Sequence, residues 1–139
     1  MKETMPQPAV LLYHISDPAR LARIRGWLER AGIRPLELAP TELHHSLGAL
    51  LGLPGFPREP GLRLGSAPGE EMLVMFAFRG AMLNDFLAFF RQEGLAPVAL
   101  KAMVTPINIH WSALRLHEAL REEHAQLSAA AKQKERDPN

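Results

Sequence analysis

The chain has 139 residues, a formal net charge of +1 and no cysteine. This length favours a single domain with one hydrophobic core. The near-neutral charge provides no field that would attract nucleic acid, and the lack of thiols excludes disulfides, cysteine nucleophiles and thiolate metal sites. Since no apolar run reaches the length of a signal sequence or a membrane span, we expect a soluble cytoplasmic protein without membrane or nucleic-acid partners.

The first half of the chain has the pattern of a strand, a helix and a second strand. Residues 9–15 are apolar and rich in strand formers. Asp17, followed by proline, predicts a helix start, and Gly32 fits the left-handed position that ends such a helix. A short strand over 35–39 follows, and Thr41 is predicted to cap a short helix. The arginines of the first helix, from Arg20 to Arg30, are predicted to form a solvated face.

The same pattern returns in the second half. An apolar strand is predicted over 71–78, a helix over 81–93 and a strand over 98–104. A long helix is predicted over 109–131. Residues 9–40 shifted by 62 positions align with 71–102 without a gap. The identical pairs are Leu11/Leu73, Ala19/Ala81, Leu21/Leu83, Gly32/Gly94, Pro35/Pro97 and Leu38/Leu100. This agreement predicts an internal duplication.

A segment rich in glycine and proline separates the two repeats. Its composition excludes a helix or a central strand and predicts a surface connector, with a partner-binding lid as the alternative. The predicted organisation is a flexible N-terminal tail (1–8), one domain (9–127) and a helix end with a charged tail (128–139). Within the domain, repeat one spans 9–51, the loop 52–70, and repeat two with the C-terminal helix 71–127.

Two strand–helix–strand repeats predict an α/β (α+β) sandwich with a four-stranded sheet. Right-handed crossovers allow two arrangements, of which we favour a ferredoxin-like one because it pairs the repeats about a pseudo-twofold axis. A small doubly wound parallel sheet is the alternative. The first and third strands are apolar on both faces, so both faces need cover. The short helix and the C-terminal helix could cover the second face, or another subunit could.

The segment from Lys101 to Trp111 is the densest candidate for a site. It predicts a strand that leads into a helix, with Asn108 as the helix cap, Thr105 bonding into the turn and Trp111 packing on the sheet edge. This pattern is also explained by capping and packing alone. Because helix N-termini attract anions and Arg79 follows a parallel strand at the same end, the segment alternatively predicts a ligand site. That site would use Arg79, Lys101, Thr105, Asn108 and Trp111 to bind a small anion.

Other constellations carry less chemistry. His110, His117 and His124 recur every seven residues and are too far apart along a helix for one metal ion, so no metal and no cofactor is predicted. Their stripe is either a half-exposed polar flank or a pH-sensitive dimer contact. No nucleophile elbow, phosphate loop or dinucleotide motif is present, so any catalytic residue is unknown.

These observations favour a non-enzymatic binding or regulatory module that recognises a small anionic ligand or a protein partner, and that forms a homodimer. The alternative is an enzyme or accessory factor acting on a phosphorylated metabolite, with Lys101 or a histidine as the acid–base group. The sequence leaves open whether the protein is an enzyme.

Four sequence elements resemble a known family. They are K-A-x-x-T-P-x-N-x-x-W over 101–111, Glu-Met-Leu-Val-Met over 71–75, Glu123-His124 at the end of a leucine-rich helix, and the Gly-x-Leu-x-Gly element within 46–52. Together they resemble the bacterial family known as domain of unknown function 3783, chiefly over residues 71–124. The resemblance implies a bacterial protein of unassigned activity.

Overall fold

The computed structural model describes residues 6–136, so parts of the predicted tails (1–5 and 137–139) lie outside the described residues. The elements in chain order are β1 (Ala9–Tyr13), α1 (Pro18–Arg30), β2 (Arg34–Leu38), a 3₁₀ turn (Pro40–Glu42), α2 (Leu47–Leu50), β3 (Met72–Phe76), α3 (Met82–Gln92), β4 (Leu100–Met103), a second 3₁₀ turn (Asn108–His110) and α4 (Ala113–Arg136).

The four strands form one mixed sheet in the order β2-β1-β3-β4. Each strand–helix–strand unit contributes a parallel pair, because β1 is parallel to β2 and β3 is parallel to β4. The units meet through the antiparallel pair of β1 and β3, in which Leu11 faces Val74 and Leu12 faces Leu73. The predicted α/β sandwich with a four-stranded sheet built from two such units is confirmed.

The strand order differs from both arrangements considered from the sequence. A ferredoxin-like sheet would place β3 between β1 and β2, and a doubly wound sheet would be parallel throughout. Here each unit stays intact, since β1 and β2 are direct neighbours. The physical reason lies in residues 39–71, which do not form a tight hairpin from β2 into β3. They include α2, which packs on one face of the sheet.

The two faces of the sheet have separate cores, because alternate strand residues point to opposite sides. On one face, α1 and α3 bury their apolar sides against Val10, Leu12 and Leu73. On the other face, α2 and the first turns of α4 pack on Leu11, Tyr13 and Val74. The second face is therefore covered by the chain's own helices, which was one of the two predicted ways to cover it.

Several predicted helix ends were wrong. Ser46, not Thr41, caps α2, since its Oγ accepts a hydrogen bond from the amide of Ala49 at 3.1 Å. Thr41 lies inside the first 3₁₀ turn. Asn108 likewise does not cap α4, which begins at Ala113 after the second 3₁₀ turn. A tight turn is needed at both places because the chain must reverse from the sheet edge to lay a helix across the second face.

Two further predictions fail for related reasons. His110 lies in the second 3₁₀ turn rather than in α4, so His110, His117 and His124 do not share one helical stripe. The arginine face of α1 is not uniformly solvated, because Arg20 is buried. Its guanidinium pairs with Glu71 and donates two hydrogen bonds to the carbonyl of Ala96, so it ties α1 to the segment that leads into β4.

The gap-free alignment of the two halves fails in the strands. Leu11 packs in the core under α2 and α4, whereas Leu73 packs in the core under α1 and α3, so the pairing of these two residues was wrong. Gly32 and Gly94 both have positive φ after a helix. Beyond them, Pro35 lies in β2, whereas Pro97 precedes β4. Residues 96–99 have no counterpart in the first half. The pairing of Pro35 with Pro97 and of Leu38 with Leu100 was therefore wrong.

Candidate functional site

Asn108, the centre of the predicted anion site, is largely buried and uses its side chain to hold a turn. Its Oδ1 accepts from the amide of Thr105 at 2.8 Å, and its Nδ2 donates to the carbonyl of Met103 at 3.0 Å. Its own amide donates to Thr105 Oγ1 at 3.0 Å. Both ends of the Asn108 side chain are thus engaged within the chain, where they hold the turn rather than cap α4.

The backbone around this turn is engaged in the same way. The amides of Ile109 and Trp111 donate to the carbonyls of Thr105 and Asn108, at 3.0 and 2.9 Å. The indole of Trp111 is covered by the guanidinium of Arg115, whose central carbon lies 4.2 Å from the ring centroid. These amides are therefore already paired with carbonyls rather than turned toward a ligand.

Arg79 and Lys101 are placed apart from this turn. Arg79 and Thr105 do follow parallel strands at the same end of the sheet, as expected. The guanidinium of Arg79, however, donates to the carbonyl of Pro6 at 3.2 Å. Lys101 donates to the carbonyl of Val98 at 2.6 Å and lines an apolar cavity of about 230 Å³ against α3. The structure brings Thr105, Asn108 and Trp111 together through hydrogen bonds, and the described hydrogen bonds join neither Arg79 nor Lys101 to them.

A polar cavity lies on the opposite face of the sheet from Lys101. It has a volume of about 240 Å³, is open to solvent on one side and lies between the loop of residues 63–68 and the first turns of α4. We name it the loop–helix cavity. Its lining residues are Arg63, Ser66, Ala67, Pro68, Leu114, His117, Glu118 and Arg121.

The loop over this cavity is held at two points. The hydroxyl of Tyr13, at the end of β1, donates to the carbonyl of Pro68 at 2.6 Å. The amide of Arg63 donates to the carbonyl of Thr41 at 2.9 Å. Burial raises the pKa of Tyr13, an effect that Arg63 opposes and Glu70 reinforces. The phenol therefore stays protonated near neutral pH and acts as a fixed donor to the loop.

His117 is fully buried at the floor of this region. Its Nε2 lies 3.0 Å from the carbonyl oxygen of Glu70, and since a carbonyl only accepts, Nε2 carries the proton. The ring packs edge-on against Tyr13, with centroids 5.8 Å apart. Nδ1 is buried and has no hydrogen-bond partner among the described residues. Nδ1 is thus a buried ring nitrogen that the described part of the chain leaves unsatisfied.

A second orphaned polar atom belongs to the same cavity. Nη1 of Arg63 is buried and also lacks a hydrogen-bond partner within the described part of the chain. Most buried polar side-chain atoms in folded proteins have a partner, so two unsatisfied ones in residues that line one cavity need an explanation. Arg121, on α4, adds a second guanidinium at the rim, and Glu118 adds one carboxylate.

This cavity was not predicted from the sequence. Arg63 and Ser66 lie in the segment that was interpreted as a connector, and His117 was interpreted as part of a helical stripe. No local motif links these positions, because the loop and α4 meet only through the fold. The arginine within a stretch otherwise dominated by glycine, proline and leucine was the only signal in the sequence.

Among residues 6–136, no group of three or more histidine, aspartate or glutamate side chains is placed to hold a metal ion. None of the helices in that same span combines the length and the apolar character needed to cross a membrane.

Comparison with known families supports the resemblance noted in the sequence. The model of the family described as "Domain of unknown function (DUF3783)" matches residues 71–127. These residues comprise β3, α3, β4, the second 3₁₀ turn and α4 as far as residue 127. Neither a curated protein nor a solved structure matches the chain. Residues 71–127 of the chain therefore match the family of the domain of unknown function 3783.

Proposed function

We propose that the protein is a binding module for a small anionic ligand, and that the ligand occupies the loop–helix cavity. The observation that supports this proposal is the pair of buried polar atoms without partners, Nη1 of Arg63 and Nδ1 of His117, in residues that line the same cavity. The site thus differs from the one predicted around Asn108, whose polar groups are paired within the chain.

The chemistry of the lining favours a particular kind of anion. Guanidinium groups bind carboxylates and phosphates through paired, charge-assisted hydrogen bonds, and Arg63 and Arg121 supply two of them. The buried Nδ1 of His117 needs a hydrogen-bond partner from the ligand. A ligand with an acidic group and a hydroxyl satisfies both requirements. Monohydrogen phosphate, a phosphomonoester or a hydroxycarboxylate has this combination.

The cavity volume limits the size of the ligand. At about 240 Å³, it lies below the range of roughly 300–1,000 Å³ that is typical of sites for drug-sized molecules. Glu118 also lines the cavity and disfavours a ligand with several negative charges. A compact anion with one or two charges is the best match.

A binding module is favoured over an enzyme by the placement of the acid–base candidates. Lys101 packs against α3 on one face of the sheet, whereas His117 lies under α4 on the other. His44 and His45 stack on each other, with ring centroids 4.0 Å apart, outside the loop–helix cavity. The groups that the enzyme hypothesis required are dispersed rather than convergent. The bacterial and cytoplasmic setting expected from the sequence is part of this proposal.

The test is a thermal-unfolding titration of the full chain with inorganic phosphate and, separately, with a small hydroxycarboxylate. Sodium chloride at matched ionic strength serves as the blank. A ligand at ten times its Kd stabilises the folded state by about 1.4 kcal/mol, which raises Tm by about 5 °C for a chain of this size. We expect such a rise for at least one of the two probes.

Three variants assign the effect to the cavity. Arg63→Gln and Arg121→Gln each remove one guanidinium and should abolish most of the rise in Tm. Arg115→Gln removes the same charge at a position that stacks on Trp111 outside the cavity, so it should keep the rise. No rise with either probe, or a rise that survives in both Arg63→Gln and Arg121→Gln, would contradict the proposal.

A further inference from the structure

The C-terminal part of α4 extends away from the rest of the molecule. Ala113, Leu116 and His117 are buried, and Leu120 still packs partly on the core. Every residue from 121 to 134 is exposed. At 1.5 Å per residue, the helix from residue 121 to its end at Arg136 projects about 24 Å beyond the body. We name this part the α4 extension.

An isolated helix of this length is only marginally stable in water, because helices in proteins gain most of their stability from packing. The α4 extension nevertheless carries a large apolar side chain, Leu127, which is 63% exposed. Ala130 and Ala131 lie beside it on the same side of the helix, three and four residues further along. A second helix can approach such a surface closely.

The order of charges along the extension suggests what the second helix is. Leu120, Leu127 and Lys134 recur every seven residues, which gives them one position of a two-helix seam. Glu123 and Ala130 take the second seam position. The seam thus has an acidic residue near the body, leucine and alanine in the middle, and a basic residue near its end.

We propose that the α4 extension pairs antiparallel with the same extension of a second copy of this chain. With the twofold axis between Ser128 and Ala129, Leu127 packs on the partner's Ala130. Glu123 then faces the partner's Lys134, and each of these layers occurs twice. The seam is complementary to itself in this direction, as a twofold homodimer requires.

The parallel alternative is disfavoured by the same residues. In a parallel pair in register, Glu123 would face the partner's Glu123, and Lys134 would face the partner's Lys134. Like charges in facing positions destabilise a helix pair. The antiparallel pair also places the end of each extension near residue 120 of the partner, so that the two bodies lie at opposite ends of the helix pair.

The experiment is sedimentation equilibrium of the full chain over a wide range of concentrations, with helix content followed by circular dichroism. We expect a reversible monomer–dimer equilibrium. Glu123→Lys and Lys134→Glu should each weaken dimerisation roughly tenfold or more, because each creates two facing pairs of like charge. The double variant Glu123→Lys/Lys134→Glu restores opposite charges and should recover the affinity. Leu127→Glu should leave a monomer.

Glu122→Lys is the matched control, because it makes the same charge change one residue away, outside the seam. It should dimerise like the natural chain. The proposal is overturned if the chain stays monomeric at the highest concentration. The seam would then have to pair with a different protein. The proposal is equally overturned if Glu122→Lys weakens dimerisation as much as Glu123→Lys, or if the double variant fails to recover. A parallel pair would show no loss in either single charge variant.

Discussion

The two halves of the chain follow the same path through strand, helix, strand, 3₁₀ turn and serine-capped helix. Ser46 and Ser112, the two capping serines, lie opposite each other in an antiparallel bridge. The contacts on either side are reciprocal. The amide of Leu47 donates to the carbonyl of Trp111 at 2.9 Å, and the amide of Ala113 donates to the carbonyl of His45 at 3.1 Å. The halves are thus related by a local twofold, although common ancestry by duplication remains a prediction.

The 3₁₀ turns show what the comparison teaches about Asn108. In the first half, Glu42 Oε1 accepts from the amide of Ala39 at 2.9 Å. In the second half, Asn108 Oδ1 accepts from the amide of Thr105 at 2.8 Å. Two different side chains make the same bond at equivalent places. Such a bond serves the turn itself, which is why the polar motif around Asn108 carries less information about a ligand than its composition suggests.

The halves differ most after the capping serines. The helix in the first half ends at Leu50, followed by Gly52 with a φ of +73° and by a proline at position 54. The helix in the second half has neither signal and continues to Arg136. The first half therefore supplies a loop and the second half supplies the helix beneath it. The loop–helix cavity arises where the halves differ, and neither half could form it alone.

The largest expected effect tests the two 3₁₀ turns against each other. Asn108→Ala leaves the partly buried amide of Thr105 and the carbonyl of Met103 without these partners and removes a buried side chain, so we expect a loss of about 2–4 kcal/mol in the free energy of unfolding. Glu42→Ala removes a more exposed cap and should cost only about 0.5–1 kcal/mol. Urea denaturation of both variants checks the difference.

Asn108→Asp is the second variant, because it keeps the oxygen that accepts from Thr105 but turns another oxygen toward the carbonyl of Met103. Two facing acceptors repel, so this variant should also be less stable than the natural chain. If Asn108→Ala were as stable as the natural chain and instead lost binding of an anion, Asn108 would belong to a ligand site after all.

Local sequence signals predicted most of the fold. Apolar runs located all four strands, and Asp17, Gly32 and Gly94 marked helix ends as expected. Because β1 and β3 are apolar on both sides, the sequence also indicated that both faces of the sheet are covered. The strand order could not be predicted, because it depends on the path of residues 39–71 between β2 and β3, and no local sequence pattern determines that path.

The second prediction concerns the close contact that is specific to the first half. Gly48 in α2 lies directly under the ring of Phe56, so that a Cβ there would stand 2.3 Å from the ring carbon Cγ. Gly48→Ala should displace Phe56 and cost about 1–3 kcal/mol in the free energy of unfolding. The equivalent place in the second half is occupied by Leu114, whose side chain lines the loop–helix cavity.

Double-mutant analysis separates this contact from a general effect of helix composition. Phe56→Ala alone should cost a similar amount, and the variant with both changes should cost less than the sum, because the contact is lost only once. Gly26→Ala, in the middle of α1, is the control and should stabilise the protein by about 0.5–1 kcal/mol. Equal destabilisation at both glycines would remove the argument for close packing.

The candidate cavity was harder to predict than the fold. Arg63 and His117 are far apart in the sequence, and neither belongs to a recognisable motif. These two residues become candidates for a binding site only because the structure shows Nη1 of Arg63 and Nδ1 of His117 buried without hydrogen-bond partners. Conversely, the segment from Lys101 to Trp111 was interpreted as a candidate site because polar residues such as asparagine and threonine are typical both of turns and of ligand sites. Sequence reasoning located the polar residues but could not tell which of them have partners.

The smallest expected effect concerns His45, whose place in the second half is taken by Trp111, which does not titrate. His45 is buried, and its Nδ1 accepts from the amide of Glu59 at 3.3 Å. Burial lowers the pKa of His45 below its ordinary value of 6.5. The nearby His44 and Arg58 lower it further, and Glu42 and Glu59 oppose the shift.

A lowered pKa in the folded state means that the unfolded chain binds the proton first. The contribution of His45 to stability is therefore fully present above pH 6.5 and is lost as the pH falls through 6.5 toward the folded pKa.

His45→Asn keeps an acceptor for Glu59 but does not titrate. Between about pH 7.5 and 5.5, the natural chain should lose more stability than this variant in urea denaturation. His124→Asn, at an exposed position on α4, should keep the pH dependence of the natural chain. If the stability of His45→Asn changed with pH as much as that of the natural chain, the turn of the first half would tolerate a charged His45 ring. The two halves would then differ less at this position than the burial of His45 implies.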